Sequence, residues 1–287
     1  MATQLKFMYN PAYFEKLCPV LEENISDFHC RDFIFSVFNN QWPELELKER
    51  VRHITNALHN YLSHDLPTAA KQLVKIADAL RQRYRGQAFE NIFLPDYIEV
   101  YGLHHPDESL KALEQITKLV SAEFAVRPFI IRYVDKAMAY LYKWSLSNDA
   151  HVRRLASEGC RPRLPWAPAL PEFKSDPSPI LPVLENLKED PSAYVRKSVA
   201  NNLNDIGKDH PELVIDILKK WKGRNPQTDW ILRHGCRSLL KKGDTQALTI
   251  HGFDPNSKAG IRRLLLPKKV KLGDHLDFSF AFVSKEK

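Results

Sequence analysis

A short pattern returns along this chain at an interval of roughly 40 residues, the period of HEAT-type helix pairs. Asn148-Asp149-Ala150-His151-Val152-Arg153-Arg154-Leu155-Ala156 matches Asp190-Pro191-Ser192-Ala193-Tyr194-Val195-Arg196-Lys197-Ser198-Val199-Ala200, and Gln227-Thr228-Asp229-Trp230-Ile231-Leu232-Arg233 is a weaker third copy. Each unit reads as a cap, a helix with an apolar-Arg pair in its second turn, a break and a second helix. Helix pairs repeated this way bury a continuous core and curve, so an all-α HEAT-like-repeat solenoid is the expected fold. Only 10 glycines occur, and no long strand alternation precedes about residue 268.

The most informative repeat runs from Asp190 to Pro211. Val195, Val199, Leu203 and Ile206 share one helical face. Asp190 or Ser192 can cap it, Pro191 suits its start and Gly207 its stop. Asn201, Asn202 and Asn204 are poor helix formers, each costing up to ~0.7 kcal/mol relative to Ala. Ser198, Asn201, Asn202 and Asp205 form a polar strip beside the apolar face. Asp205 is therefore a carboxylate held against a core; the alternative is a packing role bonded to Ser198 or Asn201.

Elsewhere, residues 10–61 read as several helices, one opened by Pro11 after an Asn10 cap, another containing Leu47, Val51, Ile54 and Leu58. Thr68 to Tyr84 is amphipathic and closed by Arg85-Gly86. Asp209-His210-Pro211-Glu212 has the form of a capping box. Arg161-Pro162-Arg163-Leu164-Pro165-Trp166-Ala167-Pro168 is too rich in proline for a helix and must link two repeats along an edge. Leu276, Phe278, Phe280 and Phe282 alternate as a half-buried strand does. Two units result, a helical domain over 1–265 and a β-hairpin-like tail over 266–287.

With 44% hydrophobic and 27% charged residues the composition is that of a soluble globular protein. The net charge of +7 favours a polyanionic partner. Cys18, Cys30, Cys160 and Cys236 show no ligand spacing, so reduced thiols and no metal are expected. No apolar run reaches ~18 residues and no secretory signal opens the chain, which predicts a soluble intracellular protein without a membrane span.

No phosphate-binding loop, nucleophile elbow, zinc-protease helix or dinucleotide fingerprint is present. The remaining candidates are carboxylates in inconvenient places. On a continuous helix through Leu113, Ile116, Leu119, Val120 and Phe124, Glu123 falls within the apolar stripe, with Arg127 at i+4 offering a structural ion pair. Glu158 follows Arg154 at i+4, on the outer side of its helix by this reading, where a surface pair is the default. Trp166 can stack on a base or sugar, or plug a gap. Arg153, Arg154, Arg161, Arg163, Arg196 and Lys197, with Lys208 at a helix end, cluster on the same repeats; they suit phosphates, solvated faces, or the Asp-to-Arg ladders of HEAT repeats.

Three segments carry a resemblance. Ser121-Ala122-Glu123-Phe124-Ala125-Val126-Arg127-Pro128-Phe129, Ala156-Ser157-Glu158-Gly159-Cys160-Arg161-Pro162-Arg163-Leu164-Pro165-Trp166 and Asn201-Asn202-Leu203-Asn204-Asp205-Ile206-Gly207-Lys208-Asp209-His210-Pro211 are similar to the bacterial AlkC family of HEAT-like-repeat DNA glycosylases. The similarity covers about residues 5 to 255. It implies cofactor-free hydrolysis of the N-glycosidic bond of cationic methylated bases (3-methylcytosine, 1-methyladenine, 3-methyladenine) in double-stranded DNA, by a monomer in the bacterial cytoplasm. It implies catalytic roles for Glu123, Glu158 and Asp205 and DNA engagement by Trp166, with the tail resembling the start of an immunoglobulin-like domain. The rival expectations are a non-catalytic DNA-binding HEAT protein and a protein–protein scaffold.

Overall fold

The computed structural model describes residues 4–84, 88–254 and 259–284. The amino-terminal part comprises α1 (Pro11–Asn24), α2 (Cys30–Val37), α3 (Leu47–His59), α4 (Leu66–Arg83), α5 (Phe93–Tyr101) and α6 (Pro106–Ile116). Then follow α7 (Arg127–Arg132), α8 (Val134–Ser145), α9 (Ala150–Gly159), α10 (Pro171–Ser175), α11 (Leu181–Leu187) and α12 (Ala193–Ile206). Helices α13 (Pro211–Trp221), α14 (Pro226–Gly235), α15 (Arg237–Lys241) and α16 (Thr245–Ile250) close the helical part. No described helix is long and apolar enough to cross a membrane.

Short polar residues begin these helices by satisfying amides that lack an intrahelical partner. Asn10, Asp65, Asp149, Asn225 and Asp244 each accept a bond from a first-turn amide. The repeated pattern places α9, α12 and α14 side by side, backed by α8, α11 and α13. Val152 and Leu155, Val195, Val199 and Leu203, then Ile231 and Leu232 form one buried seam through the three. Gly159 permits a close approach: a Cβ there would lie 2.6 Å from Val126 Cγ1, so the loop before α7 can sit against the end of α9.

The repeated arginines hold this frame. Arg153 Nε lies 2.6 Å from Asp190 Oδ2, and its Nη1 donates to the carbonyls of Ser147 and Asn148. Arg196 Nη1 donates to the carbonyls of Asp190 and Pro191. Asp190 also accepts from the Ser192 amide at 2.8 Å, so one carboxylate ties two successive repeats together. Arg233, in the third copy, is exposed.

Several expectations are corrected. The helix expected to run through Glu123 ends at Ile116, and turns occupy the following residues. The capping box at Asp209 to Glu212 does not form, because His210 holds the N-cap position and Asp209 is drawn to Arg163. Cys18 and Cys30, expected as thiols, are joined in a disulfide with Cα atoms 5.5 Å apart, where α1 folds back on α2; Cys160 and Cys236 are free and buried. Arg85 and Gly86, the expected stop of α4, lie outside the described residues.

The sheet also differs from expectation. Strands β1 (Ala259–Leu265) and β2 (Ser279–Ser284) pair antiparallel, so the first strand lies within the stretch expected to be helical. A register irregularity between Arg262 and Leu265, with Arg263 at φ 54°, breaks the two-residue period that would have revealed it.

Candidate active site

Charges of alternating sign run across the ends of α9 and α12. Arg154 Nη1 donates to Glu123 Oε2 at 2.8 Å, and its Nη2 lies 3.5 Å from Glu158 Oε1. Arg161 Nη1 donates to the same Glu158 oxygen at 2.7 Å, while its Nε donates to Asp205 Oδ2 at 2.9 Å. Lys208 Nζ ends the row 3.3 Å from Asp205 Oδ1. Glu158 Oε2 accepts from Ser198 Oγ at 2.6 Å, and Ser198 accepts from Ser157 Oγ at 2.7 Å.

Burial makes this pairing obligatory. Asp205 is 2% exposed, Glu158 5% and Arg161 7%, and an unpaired charge in such surroundings costs several kcal/mol. Burial works against the Arg161 charge, but Glu158 and Asp205 outweigh it and lift its pKa above the ordinary arginine value. Arg154 behaves likewise, with burial outweighed by Glu123 and Glu158. Arg161 and Arg154 are thereby held as cations between carboxylates in a fixed arrangement, a preorganised field at the protein edge.

The proline-rich loop between α9 and α10 is clamped from below. Arg127 is 1% exposed and donates to the carbonyls of Gly159, Arg161 and Pro168 at 3.0, 2.9 and 2.9 Å. Burial pushes its pKa down to about 10. Arg163 reaches Asp209 with two bonds, at 2.6 and 3.2 Å, pinning the loop to the end of α12. Trp166 at the tip has φ 64° and is 58% exposed. That left-handed conformation costs a non-glycine residue about 1–3 kcal/mol. Lys48 donates to the Trp166 carbonyl and its ammonium stands 5.3 Å from the Phe124 ring centroid. Behind Trp166 a cleft of about 300 Å³ opens between Lys48, Arg52, Phe89, Glu99 and Phe124.

Residues 100–239 match the sequence model of a family described as DNA alkylation repair enzyme. The uncharacterized protein YhaZ of Bacillus subtilis is 45% identical over 280 residues, covering 96% of this chain and 76% of that protein. The structure of Pseudomonas fluorescens alkylpurine DNA glycosylase AlkC, bound to DNA containing an abasic site analog, superimposes with a TM-score of 0.82 at 36% identity, covering 100% of this chain and 78% of that one. The chain belongs to the AlkC-type DNA glycosylase family.

On this AlkC-type scaffold Glu123, Glu158 and Asp205 come together in one row, and the Trp166 loop joins α9 to that row through Arg161 and Arg163. Glu158 is buried inside the row, contrary to the outer-side expectation, because Arg161 and Ser198 close over it. Glu123 pairs with Arg154 instead of Arg127, which the loop carbonyls engage. Arg161, expected on phosphates, lies between two carboxylates. Arg153 and Arg196 are committed to Asp190 and to backbone carbonyls, while Lys208 and Arg163 remain the more open cations, at 40% and 35% side-chain exposure.

The asparagines do not surround Asp205. Asn202 donates to the Ser157 carbonyl at 2.8 Å, Asn204 accepts from the Ser238 amide and Asn201 from Arg237. They join neighbouring helices, which explains their presence in a helix they disfavour. Sequence reasoning missed Lys48, paired Arg154 with Glu158 but not with Glu123, and set Ser198 against Asp205 where it bonds Glu158. The i+4 spacing of Arg154 and Glu158 was the available signal. No group of three or more His, Cys, Asp or Glu side chains among the described residues is placed to hold a metal.

Proposed function

We propose that this protein is a monomeric, monofunctional alkylbase glycosylase that releases cationic methylated bases, of the kind represented by 3-methyladenine, 3-methylcytosine and 1-methyladenine, from double-stranded DNA. The AlkC likeness supports the DNA partner, since that relative is bound to DNA containing an abasic site analog. The observation that carries the reading is the pair of buried carboxylates sharing Arg161. Glu158 uses both oxygens, on Arg161 and Ser198. Asp205 gives Oδ2 to Arg161, and among the described residues its Oδ1 meets the part-buried Lys208 contact at 3.3 Å. Oδ1 is the oxygen free to face a substrate.

A methylated base carrying positive charge needs little acid catalysis. The C1′–N bond breaks with its electron pair passing to the base, which leaves neutral, and positive charge develops on the deoxyribose. Asp205 faces that charge and orients the water that attacks C1′; the proton from that water passes to the carboxylate or solvent. Glu123 adds negative potential, Glu158 fixes Arg161, and Trp166 packs against sugar or backbone. The product is an abasic site.

The test is release of methylated bases from alkylated DNA, with product identification. Wild-type protein should release them and Asp205→Asn should not, assayed at a temperature where circular dichroism shows the variant folded and with its DNA affinity retained. DNA binding without release by the wild type would instead favour a non-catalytic DNA-binding repeat protein. Release by Asp205→Asn at the wild-type rate would remove Asp205 from the mechanism.

A further inference from the structure

The stripe bearing His151, Arg154 and Glu158 on α9 does not stop at Asp205. It crosses α12 through Tyr194, whose ring lies 5.7 Å from His151 and beneath the Arg154 guanidinium at 5.1 Å. It crosses to α14 through Arg237 just beyond that helix, whose Nη2 donates to Asn201 Oδ1 at 3.1 Å. Trp230 and His234 stand four residues apart on one face of α14, and Arg237 Nη1 donates to the His234 carbonyl at 2.7 Å. Tyr194, Lys197 and Asn201 stand at i, i+3 and i+7 on α12 and so share one face, the face that Arg237 bonds at Asn201. Asn201, which accepts from Arg237, lies one helical turn before Asp205 on α12, which places the strip beside the carboxylate row.

Its chemistry is unlike that of the surrounding helix surfaces. Trp230 and His234 are stacked, with centroids 5.0 Å apart and planes 8° from parallel. Trp230 is 45% exposed and Tyr194 38%. Lys197 is exposed and forms no ion pair among the described residues. Folding gains little from an indole left half in water, and Lys197 offers an uncompensated charge. Aromatic faces interleaved with cations match a polyanion that carries flat rings. An apolar protein partner would instead favour a patch whose centre lacks charge.

We propose that Tyr194, Lys197, Trp230 and His234 form a second DNA platform, which holds the strand leaving the lesion. The Trp230–His234 stack takes a sugar or unstacked base, and Lys197 takes the adjoining phosphate. This inference rests on the glycosylase reading for its partner and extends it to a surface outside the carboxylate row. It provides a grip on the strand at a distance from Trp166, so the lesion sugar is held from both sides.

Fluorescence anisotropy with a labelled duplex containing an abasic-site analogue tests it. Trp230→Ala should weaken binding about 5- to 100-fold, the range of a lost stacking contact, and Trp230→Phe should restore most of it. Lys197→Ala should flatten the log–log salt dependence by about 0.9. Wild-type affinity in Trp230→Ala together with an unchanged salt slope in Lys197→Ala would overturn the platform. If the wild type releases methylated bases and Asp205→Asn does not, that result would leave the catalytic reading standing. If release is absent but both variants weaken binding as expected, the platform stands and the catalytic reading fails.

Discussion

Arg161 donates to Asp205 at 2.9 Å from one edge of its guanidinium and to Glu158 at 2.7 Å from another. Two carboxylates less than a tenth exposed thereby share one cation. Truncating that cation leaves both without their shared partner. Arg161→Met should destabilise the protein by about 3–5 kcal/mol, the usual cost of breaking a buried pair. Urea unfolding at neutral pH measures it. Arg161→Lys should recover only part, since a single ammonium cannot reproduce the planar fork. A loss below about 1 kcal/mol would mean that water reaches the row and screens it.

Trp166 offers a separation of stability from function. Its exposed side chain contributes little packing, while its backbone stands in the left-handed region at φ 64°. Glycine accepts that conformation without strain but gains entropy in the unfolded chain. Trp166→Gly should therefore leave stability unchanged or raise it by about 1 kcal/mol, yet weaken binding to abasic-site DNA. A chemical-denaturation midpoint and a DNA titration on the same preparation decide the matter. A large destabilisation would make Trp166 a plug between repeats.

The sequence revealed the repeat because it is written in both apolar spacing and polar punctuation: Val195, Val199 and Leu203 give the seam, and Asp149 gives the cap. Asp205 stood out because a charge beside a core requires a partner, but that the partner is Arg161 was not legible. What escaped was pairing. Glu123 was read against Arg127, four residues away, whereas it sits in the turn before α7 and its partner Arg154 lies on α9; helical spacing shows only neighbours on one helix. The arginines were misread for the same reason, since a buried Arg161 and an open Lys208 look alike until the fold places carboxylates around one of them. Strand β1 was hidden by its own irregular register.

Alkaline pH should destabilise the protein through buried acids. Burial pushes the Cys160 thiol up to about 12 and Cys236 up to about 11, and it raises Tyr97 to about 12. Each raised pKa means that the folded state keeps its proton after the unfolded chain has lost it. The associated stability is complete below the unfolded value, near 9 for the thiols, and falls as pH rises toward the folded value. Melting temperature in reducing buffer should decline between pH 9 and 12. Cys160→Ala should show a shallower decline, and an identical slope would mean that the thiol is not protected.

The exposed and the buried arginines should separate in salt dependence. Each phosphate contact contributes about 0.9 to the slope of log affinity against log salt. Lys208 is the open cation beside Asp205, so Lys208→Ala should flatten the slope by about that amount, whereas Arg163, held by Asp209 through two bonds, should contribute less. Arg153 is held by Asp190 through two bonds and by two backbone carbonyls, and a phosphate would have to displace all of them. Arg153→Met should therefore destabilise the fold while leaving the slope as it is. A flattened slope in Arg153→Met, with stability preserved, would show that the Asp190 pair opens to receive DNA. The frame between successive repeats would then be a moving part of the binding surface.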